Sequence, residues 1–296
     1  MDLTIIIVSW NTCHLLQKCL YAVYEKVKDI QYETFVVDNA SSDGSQAMIR
    51  QNFPWVRLIE NATNNGFAAA NNQAINASSG KYILFLNSDA FLSEMAVDRM
   101  VLTLENQSQT GIVGPRLVSP DGHQQDDHGK LPNLRSEIIA LLGLDTRIKK
   151  GTVGDSTPVE SGWVMGACLM ARRSMLSKIG QLDERYFMFG EEIDLCYRAQ
   201  KSDWQVIYLP TVKVVHIQGG SSGFNSRRVL MLYRSKLQYF HKHFGSTHSK
   251  LLYQSMVITV LTKRIYYSLL QRTDLKRMWR EVWQGLSELK ARDVAA

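Results

Sequence analysis

The sequence predicts an α/β fold, in which a parallel sheet is covered by helices on both faces, and a helical extension after it. Apolar, β-rich runs alternate with helical patterns through the first 113 residues, which is the order expected of such a sheet. Polar residues follow three of these runs, at the positions where a parallel sheet binds its ligands. From residue 226 onward the pattern changes to long amphipathic helices.

The elements of the first half follow from hydrophobic periodicity and composition. The predicted strands are residues 3–8, 34–37, 56–59, 82–86 and 112–113. The predicted helices are residues 15–24, 44–53, 67–77 and 95–105. Ser41, Ser42 or Asp43 is the candidate N-cap of the second helix.

The second half begins with an irregular stretch, residues 117–159, that contains a cluster of polar residues. A solvated loop is a better explanation of this cluster than a metal site. That cluster consists of His123, Asp126, Asp127 and His128. The regular elements predicted after it are a strand at 163–171, a helix at 191–200, and two paired strands, 206–209 and 212–217, around Pro210.

Composition excludes several classes of protein. The four cysteines are scattered without a CxxC pair, so neither a zinc site nor a disulfide framework is expected. The glycine-rich phosphate loops of dinucleotide oxidoreductases and P-loop NTPases are missing. The N-terminus lacks the basic region of a signal peptide, and no apolar stretch reaches the roughly 18 residues of a spanning helix. These features predict a cytoplasmic protein.

Charge is distributed unevenly along the chain. Residues 227–296 hold 14 Lys and Arg against 4 Asp and Glu, whereas residues 1–226 hold 20 against 24. The basic helices, with their aromatic residues, suit an anionic membrane surface. Packing against the α/β domain or a homo-oligomer contact explains them equally well, and nucleic acid is not expected because no recognised module is present. The aromatic residues are Tyr266, Tyr267, Trp279 and Trp283.

Three successive strand ends carry Asp or Asn, which favours a shared ligand site over three unrelated polar turns. The polar residues at these ends are Ser9 and Asn11, Asp38 and Asn39, and Asn87 and Asp89. The Asp89 carboxylate can bind Mg²⁺ or Mn²⁺ while the cation keeps water and phosphate oxygens as its other ligands. The alternative is that Asp89 caps the next helix, a role for which Ser93 competes.

Three carboxylates stand at the start of a predicted helix: Glu191, Glu192 and Asp194. The helix dipole gives them a structural explanation. The aromatic residues before them and their mutual repulsion would raise a carboxyl pKa, as a general base near neutral pH requires. On a helix Glu191 and Asp194 share a face, Arg198 lies four residues beyond Asp194, and Glu192 points elsewhere.

His216 ends an apolar strand, where a lone histidine is more often structural. With Asp89 as the only strong metal carboxylate, however, a second protein ligand is required, and a neutral imidazole can supply it.

In combination these motifs resemble the family 2 glycosyltransferases of the GT-A fold, most closely their bacterial rhamnosyltransferase-like branch. The resemblance covers about residues 1–220 through seven elements in order. They are residues 6–11 (IIVSWN), 36–45 (VVDNASSDGS), 64–72 (NNGFAAANN), 84–89 (LFLNSD), 166–173 (GACLMARR), 189–198 (FGEEIDLCYR) and His216.

The resemblance implies a role for each matching residue. Asp89 and His216 would hold a metal ion, Mg²⁺ or Mn²⁺, and Glu192 would be the catalytic base, with Glu191 and Asp194 as further candidates. The residues that would line the site of the nucleotide sugar are Ser9, Asn11, Asp38, Asn65, Gly66, Phe67, Asn87, Ser88 and Gly166.

The resemblance also implies an organisation and a reaction. Residues 1–226 would form the GT-A domain, with a nucleotide-binding half (1–115) and an acceptor half (116–226), followed by the helical extension 227–296. The reaction would be an inverting transfer of a sugar from a dTDP- or UDP-linked donor, with dTDP-L-rhamnose favoured. The acceptor would be a hydroxyl of a cell-surface glycan or of a lipid-linked glycan.

Two departures from the family pattern leave alternatives open. Asn87 replaces the first acid of the DxD element, and the Glu191-Glu192 pair replaces the commoner Glu-Asp. A catalytically degenerate protein that serves as a membrane-associated assembly partner is one alternative. A sugar-1-phosphate nucleotidyltransferase is another, but it should carry a glycine-rich basic loop where residues 9–12 stand.

Overall fold

The computed structural model describes residues 1–141, 157–217 and 225–293. These residues form two compact units. The first unit comprises residues 1–131, 157–187 and 191–217, and the second comprises residues 132–141, 188–190 and 225–293. The domain boundary predicted at residue 226 stays a prediction.

The secondary structure alternates strands and helices as the hydrophobic pattern predicts. The strands are β1 (Leu3–Ser9), β2 (Tyr32–Asp38), β3 (Arg57–Glu60), β4 (Tyr82–Asn87), β5 (Ala90–Leu92), β6 (Thr110–Val118), β7 (His128–Gly129), β8 (Val159–Glu160), β9 (Trp163–Val164), β10 (Cys168–Arg172) and β11 (Gln205–His216). The helices are α1 (Cys13–Lys26), α2 (Ser45–Asn52), α3 (Phe67–Ala77), α4 (Ala96–Asn106), α5 (Leu134–Leu141), α6 (Arg173–Ile179), α7 (Glu191–Lys201), α8 (Ser226–Phe244), α9 (Ser246–Leu269) and α10 (Thr273–Asp293).

One large sheet organises the first unit, with the strand order β3-β2-β1-β4-β10-β6-β11-β5 and β8 paired with β11. Strands β1 to β4 are parallel, and β6 is parallel to β11. Strand β10 runs antiparallel between β4 and β6, and β5 runs antiparallel to β11. The strands from which the sequence predicts a parallel sheet, β1 to β4 and β6, thus all run in one direction, and β5 and β10 make the whole sheet mixed.

Two hydrophobic layers cover the sheet, because alternate residues of a strand point to opposite faces. In β1, Ile5 and Ile7 belong to one layer, which includes Leu16 of α1, and Ile6 belongs to the other. This second layer contains Leu195 of α7. A one-residue slip of β1 would exchange the two layers, so burial on both faces fixes its register.

The region around Pro210 differs from its prediction. Two paired strands were expected there, but residues 205–216 form the single strand β11, with a shift in register between Leu209 and Lys213. The irregularity accommodates Pro210, which cannot donate a hydrogen bond to a neighbouring strand. The predicted strand 163–171 is divided in turn into β9 and β10, which pair in different sheets.

Glu33 of β2 connects four segments of the first unit. Its Oε1 accepts hydrogen bonds from Thr4 Oγ1 at 2.9 Å and from the Ser79 N–H at 2.7 Å, and its Oε2 accepts from Arg57 at 2.9 Å. Burial alone would raise the pKa of Glu33, but these hydrogen bonds and the Arg57 charge outweigh it, so the pKa is lowered. The ionised form of Glu33 therefore stabilises the fold.

The second unit is built from helices. Within it, α9 packs against α5, α8 and α10. Trp279 is buried, with the Lys263 ammonium 4.4 Å from its ring centroid, and the Arg264 guanidinium lies 5.4 Å from the ring centroid of Trp283. Both tryptophans thus contact residues of α9. None of the described helices is long and apolar enough to cross a membrane.

Replacing Glu33 by Gln is expected to lower the free energy of unfolding by about 1–3 kcal/mol at pH 7, because the buried Thr4 hydroxyl, the Ser79 N–H and Arg57 lose a charged acceptor. A lowered folded-state pKa contributes stability above the ordinary value of 4.5, and this contribution is lost as the pH falls through the folded-state pKa. The difference between wild type and Glu33→Gln should therefore shrink below about pH 4.5. Urea unfolding at several pH values measures this difference in stability, with the exposed Glu25→Gln as control. A difference that does not depend on pH would contradict the prediction.

Candidate active site

Three strand ends lie side by side at one edge of the sheet. In the parallel register of β1 with β2, Ser9 pairs with Asp38, and in that of β1 with β4, Val8 pairs with Asn87. The carboxyl ends of parallel strands are where such sheets bind ligands. The structure thus brings together three residues for which the sequence predicts nucleotide contacts: Ser9, Asp38 and Asn87.

A chain of buried hydroxyl groups connects the ends of β1 and β4. Ser9 Oγ and Thr12 Oγ1 share a hydrogen bond of 3.0 Å, and the Thr12 hydroxyl donates to Ser88 Oγ at 2.9 Å. All three side chains are buried. Because Ser88 directly precedes Asp89, this chain of hydroxyls holds the turn that carries the carboxylate.

Asn11 joins the loops that follow β1 and β2. Its φ of +53° lies in the left-handed region, which asparagine tolerates better than most residues. The Asn11 N–H donates to Ser41 Oγ at 2.9 Å, and Asn11 Oδ1 accepts from the Ser42 N–H at 2.8 Å. The side-chain oxygen of Asn11 therefore holds the second loop in place at the edge of the site.

Asp38 presents a buried carboxylate oxygen to this edge. Its Oδ1 accepts hydrogen bonds from the Ser41 N–H at 2.9 Å and from Gln46 Nε2 at 2.7 Å. Its Oδ2 is also buried, and it has no hydrogen-bond partner among the residues that the structure describes. A buried acceptor of this kind costs free energy unless a ligand or water donates to it. Asp38 Oδ2 is thus a fitting acceptor for an N–H group of a bound base.

The loop of residues 65–67 is held on two sides. Asn39 Nδ2 donates to the Gly66 carbonyl at 3.1 Å, and the Phe67 N–H donates to the Phe187 carbonyl at 2.7 Å. Gly66 has φ +82° and ψ 178°, a region that only glycine occupies without strain. A Cβ at this position would also collide with the Phe187 carbonyl oxygen. The contact therefore requires glycine at position 66.

Asp89 faces His216 across the start of β5. The Asp89 Oδ1 and His216 Nε2 atoms are 3.4 Å apart, and both residues are buried. The Ile217 N–H donates to the Asp89 carbonyl at 2.9 Å, so the backbone holds the two residues together. The structure thus pairs the two residues for which the sequence predicts a metal ion.

The donor set of this pair fits a divalent cation. Two neighbouring ligands of an octahedral Mg²⁺, each at about 2.1 Å from the ion, lie about 3 Å apart, close to the separation of Oδ1 and Nε2. Among the described residues, no group of three or more His, Cys, Asp and Glu is placed to hold a metal. Asp89 and His216 would therefore share the ion with ligands from water or from a diphosphate.

The turn between β9 and β10 brings the acidic helix to the same edge. The Asn87 N–H donates to the Ala167 carbonyl at 2.9 Å. At the adjacent Gly166, a Cβ would stand 3.4 Å from Cβ of Glu192. Gly166 thus lies against Glu192. The β9–β10 turn, through Ala167 and Gly166, connects Glu192 to the end of β4. Glu192 is half-buried at this position.

Glu191 is turned into the protein. It is buried, and its Oε2 has no hydrogen-bond partner within the described part of the chain. Burial, and then repulsion from Glu192, raises the pKa of Glu191 well above its ordinary value. Burial and the neighbouring charge therefore make the ionised form of Glu191 less favourable than that of an exposed glutamate.

Asp194 is bound by an arginine. Arg198 Nε lies 2.7 Å from Asp194 Oδ2, and Asp194 is fully buried. The same guanidinium donates to the carbonyls of Ile179, Gly180 and Gln181. The ion pair therefore ties the start of α7 to the end of α6, which gives Asp194 a structural task.

The polar cluster of the irregular stretch differs in part from its prediction. His123 and Asp126 are exposed, but Asp127 and His128 are buried. Asp127 Oδ2 accepts from the Leu117 N–H at 2.9 Å, and Asp127 Oδ1 lies 2.8 Å from His128 Nδ1. A solvated loop is thus wrong for these two residues, because long-range hydrogen bonds hold them inside the unit.

Two residues of this edge are missing from the sequence prediction. Thr12 lies inside the chain of hydroxyls, and Gln125 contacts His216 with both ends of its amide. The only signal for Thr12 is its position just after the end of the first strand. Asn65 is exposed, and its side chain accepts from Thr63 Oγ1 at 3.0 Å.

Comparison with solved structures shows the fold, and a family model shows the class of protein. The mannosyltransferase PcManGT from Pyrobaculum calidifontis, solved in complex with GDP-Man and Mn²⁺, matches with a TM-score of 0.58 at 16% identity, over 99% of this chain and 87% of that chain. The fold is that of the GT-A glycosyltransferases, with a helical C-terminal region. The model of glycosyl transferase family 2 matches residues 4–180, and the chain belongs to this family.

Curated relatives narrow the class. The N-acetylglucosaminyl-diphospho-decaprenol L-rhamnosyltransferase of Mycobacterium tuberculosis is 30% identical over 209 residues, which are 64% of this chain and 67% of that protein. The low-salt glycan biosynthesis hexosyltransferase Agl10 of Haloferax volcanii is 24% identical over 265 residues, 88% of this chain and 82% of that protein. The chain is thus a rhamnosyltransferase-like, nucleotide-sugar-dependent glycosyltransferase, as the sequence predicts.

Gly66→Ala is expected to lower the free energy of unfolding by about 3 kcal/mol or more, because strain at φ > 0 adds to the collision with Phe187. Gly245→Ala is the matched control, since Gly245 has φ +84° and ψ 172° but nothing within 4 Å of its Cβ position. It should cost only about 1–3 kcal/mol, the backbone strain alone. Urea unfolding of both variants tests the difference, and equal losses would show that the Phe187 contact is unimportant.

Proposed function

We propose that this protein is an inverting glycosyltransferase that moves L-rhamnose from dTDP-L-rhamnose to a hydroxyl group of a lipid-linked glycan. The observation that carries the proposal is the gathering of Asp89 and Glu192 at one edge of the sheet. The hydrogen bond from the Asn87 N–H to Ala167 joins their two segments. In this proposal Asp89 binds the cation, and Glu192, at the same edge of the sheet, takes the proton.

The reaction is a single displacement at the anomeric carbon. The acceptor oxygen forms a bond to that carbon while the bond to the diphosphate oxygen breaks, and the acceptor proton moves to the Glu192 carboxylate. Glu192 is the proposed base rather than Glu191, because Glu192 is half-buried against Gly166 and can meet an acceptor, whereas Glu191 is buried inside the protein. We assign Asp194 a positioning role through Arg198.

The negative charge that develops on the leaving diphosphate calls for a cation, which Mg²⁺ or Mn²⁺ would supply when bound. Asp89 and His216 would hold it, and Asn87 can assist only as a neutral ligand or hydrogen-bonding group. The presence of Mn²⁺ with GDP-Man in the mannosyltransferase of the same fold supports this part of the proposal.

In this proposal the nucleotide binds at the end of β2, beside Asp38 and the loop of residues 65–67. The buried Asp38 Oδ2 would accept a hydrogen bond from the base N–H, and the loop of residues 65–67 would pass close to the nucleotide. Uracil and thymine present the same N–H group, so this contact admits both UDP and dTDP. The name of the mycobacterial relative, a rhamnosyltransferase that acts on a decaprenol-linked sugar, supports the rhamnose donor and the lipid-linked acceptor.

The proposal also includes reversible contact of the helical unit with a membrane. Five apolar side chains are exposed along one face of α9 at helical spacing, and we call them the α9 stripe. They are Leu251, Ile258, Leu261, Ile265 and Leu269. Four exposed basic residues follow at the start of α10, namely Arg272, Lys276, Arg277 and Arg280. Apolar and basic groups in this arrangement suit an anionic lipid surface.

A transfer assay with a panel of dTDP- and UDP-sugars, each with and without Mg²⁺ or Mn²⁺, tests the donor. Transfer from dTDP-L-rhamnose that depends on the cation is the expected result. Calorimetry with dTDP and UDP in Mn²⁺ separates the alternatives. Binding of neither nucleotide would favour the degenerate assembly protein.

Glu192→Gln should reduce the transfer rate by roughly 10²–10⁴, because the acceptor hydroxyl loses its base. The affinity for the nucleoside diphosphate should stay within about twofold of wild type, since the variant does not touch the Asp38 side of the edge. Glu160→Gln, an exposed site in the same unit, is the control. Near wild-type transfer by Glu192→Gln would reject the assignment of the base.

Binding to vesicles tests the membrane contact. The full chain should bind vesicles that contain phosphatidylglycerol and not vesicles of phosphatidylcholine alone, since each basic residue near an anionic surface contributes about 1 kcal/mol. The double variant Ile265→Gln, Leu269→Gln should weaken this binding about tenfold or more, because two apolar side chains no longer partition. The control is Leu102→Gln, which alters an exposed leucine of α4. Equal binding of the double variant and wild type would contradict the proposed contact of the α9 stripe with the membrane.

A further inference from the structure

The His216 imidazole is oriented by one amide side chain. Gln125 Nε2 lies 2.7 Å from the His216 carbonyl oxygen, and Gln125 Oε1 lies 2.8 Å from His216 Nδ1. A carbonyl oxygen can only accept, so the amide nitrogen must face it and the amide oxygen must face the ring. The backbone carbonyl of His216 therefore determines the orientation of the Gln125 amide, and the same amide contacts the His216 ring.

This orientation selects one tautomer of His216. Because the amide oxygen of Gln125 can only accept, the proton of the neutral imidazole must sit on Nδ1 and donate to it. Nε2 then carries a lone pair and points at Asp89 Oδ1, 3.4 Å away. Two acceptors face each other across this gap, which is an arrangement that a cation between them would satisfy.

The backbone around Gln125 is itself held in place. The Gln125 N–H donates to the Leu117 carbonyl of β6 at 2.9 Å. The residues before it form a tight turn, in which the Gly122 N–H donates to the Ser119 carbonyl at 2.8 Å. Gln125 thus reaches His216 from a rigid support on the neighbouring strand, 91 positions away in the sequence.

We infer that Gln125 is a positioning residue that keeps His216 in its Nδ1–H tautomer and aims Nε2 at the cation of the sugar-transfer reaction. The inference rests on the proposed function, because it takes Asp89 and His216 as the cation ligands. Gln125 itself touches neither cation nor substrate in this assignment. Outer partners of metal-binding histidines act in this way, and their loss typically weakens metal affinity 10–100-fold.

Nitrogen NMR of the protein labelled with ¹⁵N-histidine tests the tautomer without any metal. The expected wild-type pattern for His216 is a protonated Nδ1 and a bare Nε2, with the signals assigned by their loss in His216→Gln. Gln125→Met, which keeps the side-chain length but removes both hydrogen bonds, should populate the Nε2–H tautomer. A wild-type Nε2–H tautomer would overturn the inference.

Titration with Mn²⁺ in the presence of dTDP or UDP, followed by the EPR signal of free Mn²⁺, tests the consequence. Gln125→Met should weaken Mn²⁺ binding 10–100-fold. Gln124→Met is the matched control, since Gln124 is the adjacent glutamine and bonds to Tyr208 and Asp127 instead of His216.

The outcomes distinguish this inference from the proposed function. If His216→Gln weakens Mn²⁺ binding and Gln125→Met does not, the role of Gln125 is rejected while the metal assignment stands. If His216→Gln leaves Mn²⁺ binding unchanged, the metal assignment itself fails, and the role of Gln125 fails with it. Equal weakening by Gln124→Met and Gln125→Met would also reject the inference, because it would show a general loss of structure.

Discussion

The parallel pairing of β1 with both β2 and β4 is the constraint on which the rest of the site depends. It sets Ser9 beside Asp38 and Val8 beside Asn87, so three loops leave the sheet at one edge. A shift of β1 by one residue would exchange the side chains of the two core layers and break this pairing. The buried hydroxyls and the Asp38 carboxylate owe their positions to the register.

The antiparallel strand β10 brings the second half of the chain to the same edge. Cys168, at its beginning, pairs with Leu86 near the end of β4, so the turn before β10 emerges beside Asn87. Had β10 been parallel, this turn would lie at the opposite end of the strand. The reversal therefore brings Gly166, and Glu192 against it, to the end of β4. The long strand β11 brings His216 to Asp89 by a similar antiparallel pairing with β5.

One helix start contains three carboxylates that the tertiary structure treats differently. Glu191 is buried and has a raised pKa, Glu192 stands half-buried against Gly166, and Asp194 is bound by Arg198. Their chemical identity and their spacing are nearly the same. They differ in burial and in the ion pair that Arg198 makes with Asp194, all within one turn of helix. Local environment thus distinguishes three carboxylates that the sequence places together.

The sequence by itself determined the order of strands and helices in the first half, the polar ends of three strands and the acidic start of α7. These follow from periodicity and local composition, which act over a few residues. Only the tertiary structure decided that β10 is antiparallel, that β11 is one strand, that Asp127 and His128 are buried, and that Gln125 meets His216. Each of these depends on contacts between distant segments, as between Gln125 and His216, 91 positions apart. Such contacts are fixed by packing of the whole sheet, and no local propensity reports them.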